Sequence, residues 1–234
     1  MTQQHITSAF DRDLEDIQAK IMKMGGLVEA AILEGAISLE TRDEERAEKV
    51  RAADKAIDLL EEKINEDAAR LIALRSPTAS DLRLVLAIMK ISGNLERIGD
   101  YAKNMAKRTG VLAQMAPVSD CAGSLRRMAK EVSKMLKDVL DAYIHRDAEL
   151  AGDVIKRDSD VDQMYNGLFR EFLTFMMEDP RNITACMHLH FIGKNIERMG
   201  DHVTAIAEQV VYLVTGEYPE EARLKSDVTS TQTM

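Results

Sequence analysis

The chain has no tryptophan, four prolines and two cysteines in 234 residues, and aromatic residues make up 4% of it. With 45% hydrophobic and 30% charged residues alongside, that scarcity excludes a sheet protein, whose strands draw on aromatic side chains, and leaves a helix-rich one. Cys121 and Cys186 are too few and too isolated for a disulfide framework or a thiolate metal site, and are expected as small reduced hydrophobes. No run of about 18 apolar residues is available to span a bilayer. The opening Met1-Thr2-Gln3-Gln4-His5 lacks the basic and apolar stretches of a secretory signal, so a cytoplasmic location is expected. A basic excess is also missing: the net charge of −9 argues against a nucleic-acid-binding surface and is compatible with cation binding. There is no glycine-rich phosphate loop, no nucleophile elbow and no dispersed Ser/His/Asp set, so the chain is not expected to be an enzyme.

What is present is a repeat. Asn94-Leu95-Glu96-Arg97-Ile98-Gly99-Asp100 returns 101 residues later as Asn195-Ile196-Glu197-Arg198-Met199-Gly200-Asp201. On a helix, Glu96 and Asp100, like Glu197 and Asp201, stack on one face four residues apart. Like charges at that spacing cost a few tenths of a kcal/mol, and an interior glycine costs about 1 kcal/mol relative to alanine. Accepting both penalties twice implies a cation over the carboxylates and a close approach at Gly99 and Gly200. The simpler reading is that Arg97, Arg198 or arginines of neighbouring helices neutralise the acids and that the glycines permit tight helix packing.

Apolar periodicity divides the chain into six helices. The first spans about Asp11 to Glu40, with Leu14, Ile17, Ile21, Met24, Val28, Ala31, Gly35 and Leu39 as its stripe. Asp43 caps the second, whose stripe Val50, Ala53, Ile57, Leu60, Ile64, Ala68, Leu71 and Leu74 runs until Ser76-Pro77. The third starts near Ser80, faces Leu84, Ile88, Ile91, Leu95, Ile98, Ala102 and Met105 inward, and ends near Thr109-Gly110. After a connector over 110–120 the pattern restarts. Leu125, Met128, Val132, Met135, Val139 and Tyr143 repeat helix one, and Arg146-Asp147 repeats Arg42-Asp43. The sixth helix runs from Asn182 to Thr215, before Gly216. The fold class expected is all-α: two tandem antiparallel three-helix bundles over residues 10–110 and 120–217, with 218–234 as a disordered tail. Each helix is about 45 Å long at 1.5 Å per residue.

Asp54 and Asp58 stand on helix two immediately beside its apolar stripe, followed by Glu61, Glu62 and Asn65; Asp158 and Asp162 repeat the first pair. These edges lie at the margin of the core. Two margins facing each other would gather Asp54, Asp58, Glu96 and Asp100 into one oxygen-rich patch, and Asp158, Asp162, Glu197 and Asp201 into a second. Oxygen donors suit magnesium, calcium, manganese or iron better than copper, and zinc is less expected without histidine or thiolate. His190 and His202 are candidates to join the second patch, whereas the matching places in the first hold Met89 and Tyr101. A di-iron carboxylate redox protein is the rival reading, but such bundles use Glu-x-x-His, which this chain lacks. A metal-free structural scaffold is a third.

The two ExxxD segments, together with Pro77-Thr78-Ala79-Ser80-Asp81-Leu82-Arg83 and the six-helix periodicity, resemble the PhoU family of accessory proteins of the bacterial phosphate-specific ABC transport system. The resemblance covers residues 10 to 217. It implies multinuclear metal clusters on the bundle surfaces, frequent homodimerisation and a negative regulatory role. In that role the protein is a signal-transduction adaptor between the transporter ATPase and a phosphate-responsive sensor histidine kinase; it represses the starvation response, restrains uptake, and meets the membrane only through partners. Position by position, the family's acidic motifs fall on Asp54, Asp58, Glu96, Asp100, Asp158, Asp162, Glu197 and Asp201. The second half departs from the first at Tyr165 and Asn166, and at Arg181-Asn182-Ile183-Thr184, so equal metal sites are not implied.

Overall fold

A computed structural model describes residues 2–77, 79–118 and 121–219, with side chains from residue 9 except at residue 79. It contains six α-helices and, among the described residues, no strand: α1 (Thr2–Thr41), α2 (Glu44–Arg75), α3 (Ala79–Ala113), α4 (Cys121–His145), α5 (Ala148–Glu178) and α6 (Ile183–Thr215). A 3-10 turn, Pro180–Asn182, leads into α6. The tail expected to be disordered lies, from residue 220 on, outside the described residues.

The predicted stripes are the core, with one telling exception. In α1 Ile17, Ile21, Met24, Val28, Ala31 and Leu39 are buried, in α3 Ile88, Ile91, Leu95, Ile98, Ala102 and Met105, and in α4 all six residues of the restarted pattern. In α2 the buried line runs Ala47, Val50, Asp54, Ile57, Ile64, Ala68, Leu71. Ala53 is exposed and Leu74 faces solvent. The steps 50, 54, 57 are as helical as 50, 53, 57, so periodicity alone does not choose between the neighbours. Both cysteines are buried free thiols.

Two boundaries differ from expectation. α1 begins at Thr2 rather than Asp11, and α3 continues through Gly110 to Ala113. The extra turn of α3 buries Leu112, and its end is closed by the Arg42 guanidinium, which donates to the carbonyls of Leu112 and Met115. α6 stops as read, with Gly216 left-handed at φ 87° and its N–H bonded to Tyr212 O. Ser76, also left-handed, ends α2 before Pro77.

The turns between α1 and α2 and between α4 and α5 are one construction used twice. The Asp43 N–H returns to Ser38 O at 2.9 Å, closing α1, while the Asp43 carboxylate accepts from Arg46 N at 2.9 Å, opening α2. Asp147 does the same with Ala142 O and with the N–H groups of Glu149 and Leu150. Reversing the chain in so few residues puts Arg42 and Arg146 in the left-handed region, at φ 57° and 55°.

Within each half all three helices pack on one another, and the halves meet through α1 on α4 and α3 on α6. The buried apolar residues of both halves form one continuous cluster. Among the described residues, α2 and α5 touch only their own half, so the acidic edges they carry lie on the outer flanks.

Candidate metal centres

The acidic residues of each half lie deeper than the margin expected from sequence. Asp54 is 4% exposed, Asp162 5% and Glu197 6%, and Asp158 is buried as well; Asp58, Glu96, Asp100 and Asp201 are half-buried. Glycine makes that depth possible. A Cβ on Gly200 would lie 3.2 Å from Asp158 Oδ1, and one on Gly99 would lie 3.1 Å from Ile57 Cδ1 and 3.7 Å from Asp54 Oδ1. The carboxylates of α2 and α5 thus rest directly on the backbone of α3 and α6, which accounts for a glycine between the acids of each repeated segment.

Two lysines join Arg97, the arginine considered from sequence, beside the acids. Lys103 Nζ hydrogen-bonds Asp54 Oδ2 and stands 3.8 Å from Asp100; Lys194 Nζ donates to Glu197 Oε1 at 2.8 Å. Arg97 lies 3.5 Å from both Glu96 and Asp100 on the outer side, whereas Arg198 turns to Tyr101 OH in the other half, at 3.4 Å. Lys103 follows Asp100 by three residues and Lys194 precedes Glu197 by three, so the repeat that flagged the acids does not flag them.

Three of the acids stay raised in pKa despite these cations. Burial, then Asp100 beside it, raises Glu96 to about 7. Burial, followed by Asp54 and with Lys103 opposing, raises Asp58. Glu197 is raised by burial despite Lys194, with Asp201 and Asp162 adding to the effect. The lysine, by contrast, is held protonated: its bond to Asp54 raises Lys103.

The donor chemistry of both sets suits a hard cation, being all carboxylate. Two buried oxygens, Asp54 Oδ1 and Glu197 Oε2, also have no hydrogen-bond partner among the described residues. As the side chains stand, no three His, Cys, Asp or Glu among the described residues converge closely enough to hold an ion. Of the histidines considered for the second set, His202 Nδ1 meets Asn94 Oδ1 at 2.8 Å and its ring lies on Tyr101, while His190 packs among Tyr165, Phe169 and Phe191.

The comparisons with known proteins agree with this architecture. The family model described as PhoU domain matches twice, at residues 21–109 and 125–210. A phosphate-specific transport system accessory protein PhoU homolog of Rhizobium meliloti is 45% identical over 231 residues, covering 99% of this chain and 98% of that one. One from Caulobacter vibrioides is 45% identical over 227 residues, 97% and 99% of the two chains. The crystal structure of PhoU from Pseudomonas aeruginosa superposes with a TM-score of 0.85 at 39% identity, covering 89% of this chain and 100% of that one. The phosphate transport system regulatory protein PhoU from Streptococcus pneumoniae gives 0.81 at 32%, covering 91% and 100%. With the duplicated acidic segments on paired three-helix units and relatives matched along almost their whole length, the chain belongs to the PhoU family.

Proposed function

We propose that the chain is a non-enzymatic cytoplasmic adaptor. It acts as a homodimer between the ATPase of the phosphate-specific ABC transporter and the sensor histidine kinase, represses the phosphate-starvation response and restrains uptake. The observation that carries this reading is the near full-length relation, at 45% identity, to accessory proteins of that transport system. Among the described residues no helix is long and apolar enough to cross a membrane; on this reading membrane contact is made through partners.

A metal ion or cluster in each half, iron, manganese, magnesium or calcium before zinc, would be held by Asp54, Asp58, Glu96 and Asp100 and by Asp158, Asp162, Glu197 and Asp201. Lys103 and Lys194 would then be displaced. The unpartnered oxygens of Asp54 and Glu197 support this. Metal there would neutralise the outer flanks and fix the α2–α3 and α5–α6 edges for docking.

An adaptor can bias its kinase only by binding one state more tightly than the other. The test compares kinase and phosphatase activities of the purified sensor, with transporter present, with and without this protein. A shifted ratio is expected; equal activities at concentrations where binding is saturated would remove the adaptor reading.

A further inference from the structure

The 101-residue repeat makes the two ends of the α3–α6 groove equivalents of one another, and the ends are finished differently. At the α6 C-terminal end the chain folds back to cover the groove. Tyr218 stacks on Tyr212 with ring centroids 4.4 Å apart, accepts from Lys90 Nζ at 2.9 Å and donates to Gln209 Oε1 at 3.3 Å. At the α3 C-terminal end the places of Tyr212, Gln209 and Glu208 are taken by Val111, Arg108 and Lys107, and the chain runs on toward α4 instead. A cleft of 390 Å³ stays open there, lined by Asn104, Lys107, Arg108, Val111, His188 and Asn195.

No carboxylate lines it. In a chain of net charge −9, Lys107 and Arg108 make no ion pair with any Asp or Glu among the described residues. Arg108 is held in place without one: its guanidinium lies 4.5 Å over the Phe191 ring, and Nη1 meets His188 Nδ1 at 3.2 Å. A guanidinium only donates, so His188 accepts at Nδ1 and carries its proton on Nε2, a further donor. Burial, then the neighbouring Arg108, lowers the imidazole's affinity for a second proton. A fork fixed before a ligand arrives loses little side-chain entropy on binding.

We infer that this cleft binds a phosphorylated small molecule, its phosphoryl dianion held by Lys107 and the Arg108 fork with the amides of Asn104 and Asn195. Two unpaired cations match a dianion better than a single carboxylate. The volume falls in the range of about 300–1,000 Å³ usual for small-molecule sites, more than a bare phosphate ion fills. The site uses neither α2 nor α5, and is independent of the acidic quartets.

The test is calorimetric titration of chelator-treated full-length protein with orthophosphate, glucose 6-phosphate and ATP, and with succinate and a poly-glutamate peptide as non-phosphoryl anions. Saturable one-to-one binding of glucose 6-phosphate or ATP, tighter than that of orthophosphate, is expected, and orthophosphate binding best would overturn the small-molecule assignment. Lys107→Gln with Arg108→Gln is expected to weaken it by at least about tenfold, from the loss of charge-assisted hydrogen bonds, with unchanged helicity. Lys90→Gln at the covered end should leave it unaltered. No saturable binding, or binding that the double variant retains, overturns the inference. Tighter binding of the peptide or succinate than of every phosphorylated probe also overturns it, and reassigns the cleft to an acidic protein segment.

Discussion

A buried carboxylate is costly unless a cation or hydrogen-bond donors meet it, and Asp54 and Glu197 are each met by a lysine on one oxygen only. Burial, with Asp100 alongside, acts on Glu96 as well. An unfolded chain ionises this residue near 4.5 and the folded chain near 7, so between those values the folded state binds more protons and stability falls as pH rises. Glu96→Gln removes that loss. In chelator-treated protein, the variant and the parent should melt alike below about pH 4, with the variant gaining steadily to about pH 7 and holding its lead above; melting curves across this range check it, and a parent that matches the variant at pH 8 contradicts it. Replacing Glu96 and Asp100 together with alanine should lower bound metal while leaving helicity nearly intact, because both side chains are half-buried and their removal relieves repulsion. Metal analysis beside circular dichroism decides: unchanged metal, or global unfolding, counts against the first site.

At the scale of the element, the paired turns allow a comparison within one molecule. A non-glycine residue in the left-handed region costs about 1–2 kcal/mol, and Arg42 and Arg146 both bear it. Arg42 offsets the cost by closing the end of α3. Among the described residues Arg146 has the Tyr143 ring, 5.3 Å away, and a buried Nη1 without a hydrogen-bond partner. Arg146→Gly should therefore stabilise the protein by about 1 kcal/mol, and Arg42→Gly, which loses two charge-assisted bonds of about 1.5–3 kcal/mol each, should destabilise it. Denaturant midpoints of both variants test the contrast; shifts of the same sign would show that the guanidinium contacts do not matter. The Arg-Asp pair that makes these turns was legible in the sequence as a repeat and a cap, as were five of the six helix starts to within a few residues. The end of α3 was not, because Gly110 reads as a terminator until Arg42 is brought to it from 70 residues away. Nor was the burial of Asp54 in place of Ala53. That choice depends on Gly99 and Lys103 across the helix pair, and no pattern within α2 records either.

At the scale of the whole molecule, the sequence repeat describes the chain as two units, while the packing joins them. α1 meets α4 so closely that a Cβ on Gly25 would lie 2.4 Å from Leu140 Cδ1. Along α3 and α6, Asn94, Tyr101 and Arg108 are bonded or stacked to His202, Arg198 and His188 of the other half. An isolated half keeps its three helices but leaves the inner faces of two of them in water. Each 100 Å² of apolar surface so exposed costs about 2.5 kcal/mol, against a total stability of about 5–15 kcal/mol for a domain. Residues 1–115 or 118–234 alone are therefore expected to self-associate or to melt well below the full chain, and mixing the two should restore a one-to-one complex with the parent's cooperativity. Sedimentation and melting of each fragment, alone and mixed, make the measurement; a monomeric fragment with the full chain's melting temperature would refute the shared core as a source of stability. The result also governs how partner binding is mapped. If the halves depend on each other, a fragment that fails to bind the transporter reports lost folding rather than a lost contact face, and substitutions on the outer flanks of α2 and α5 in the intact chain are the proper probe.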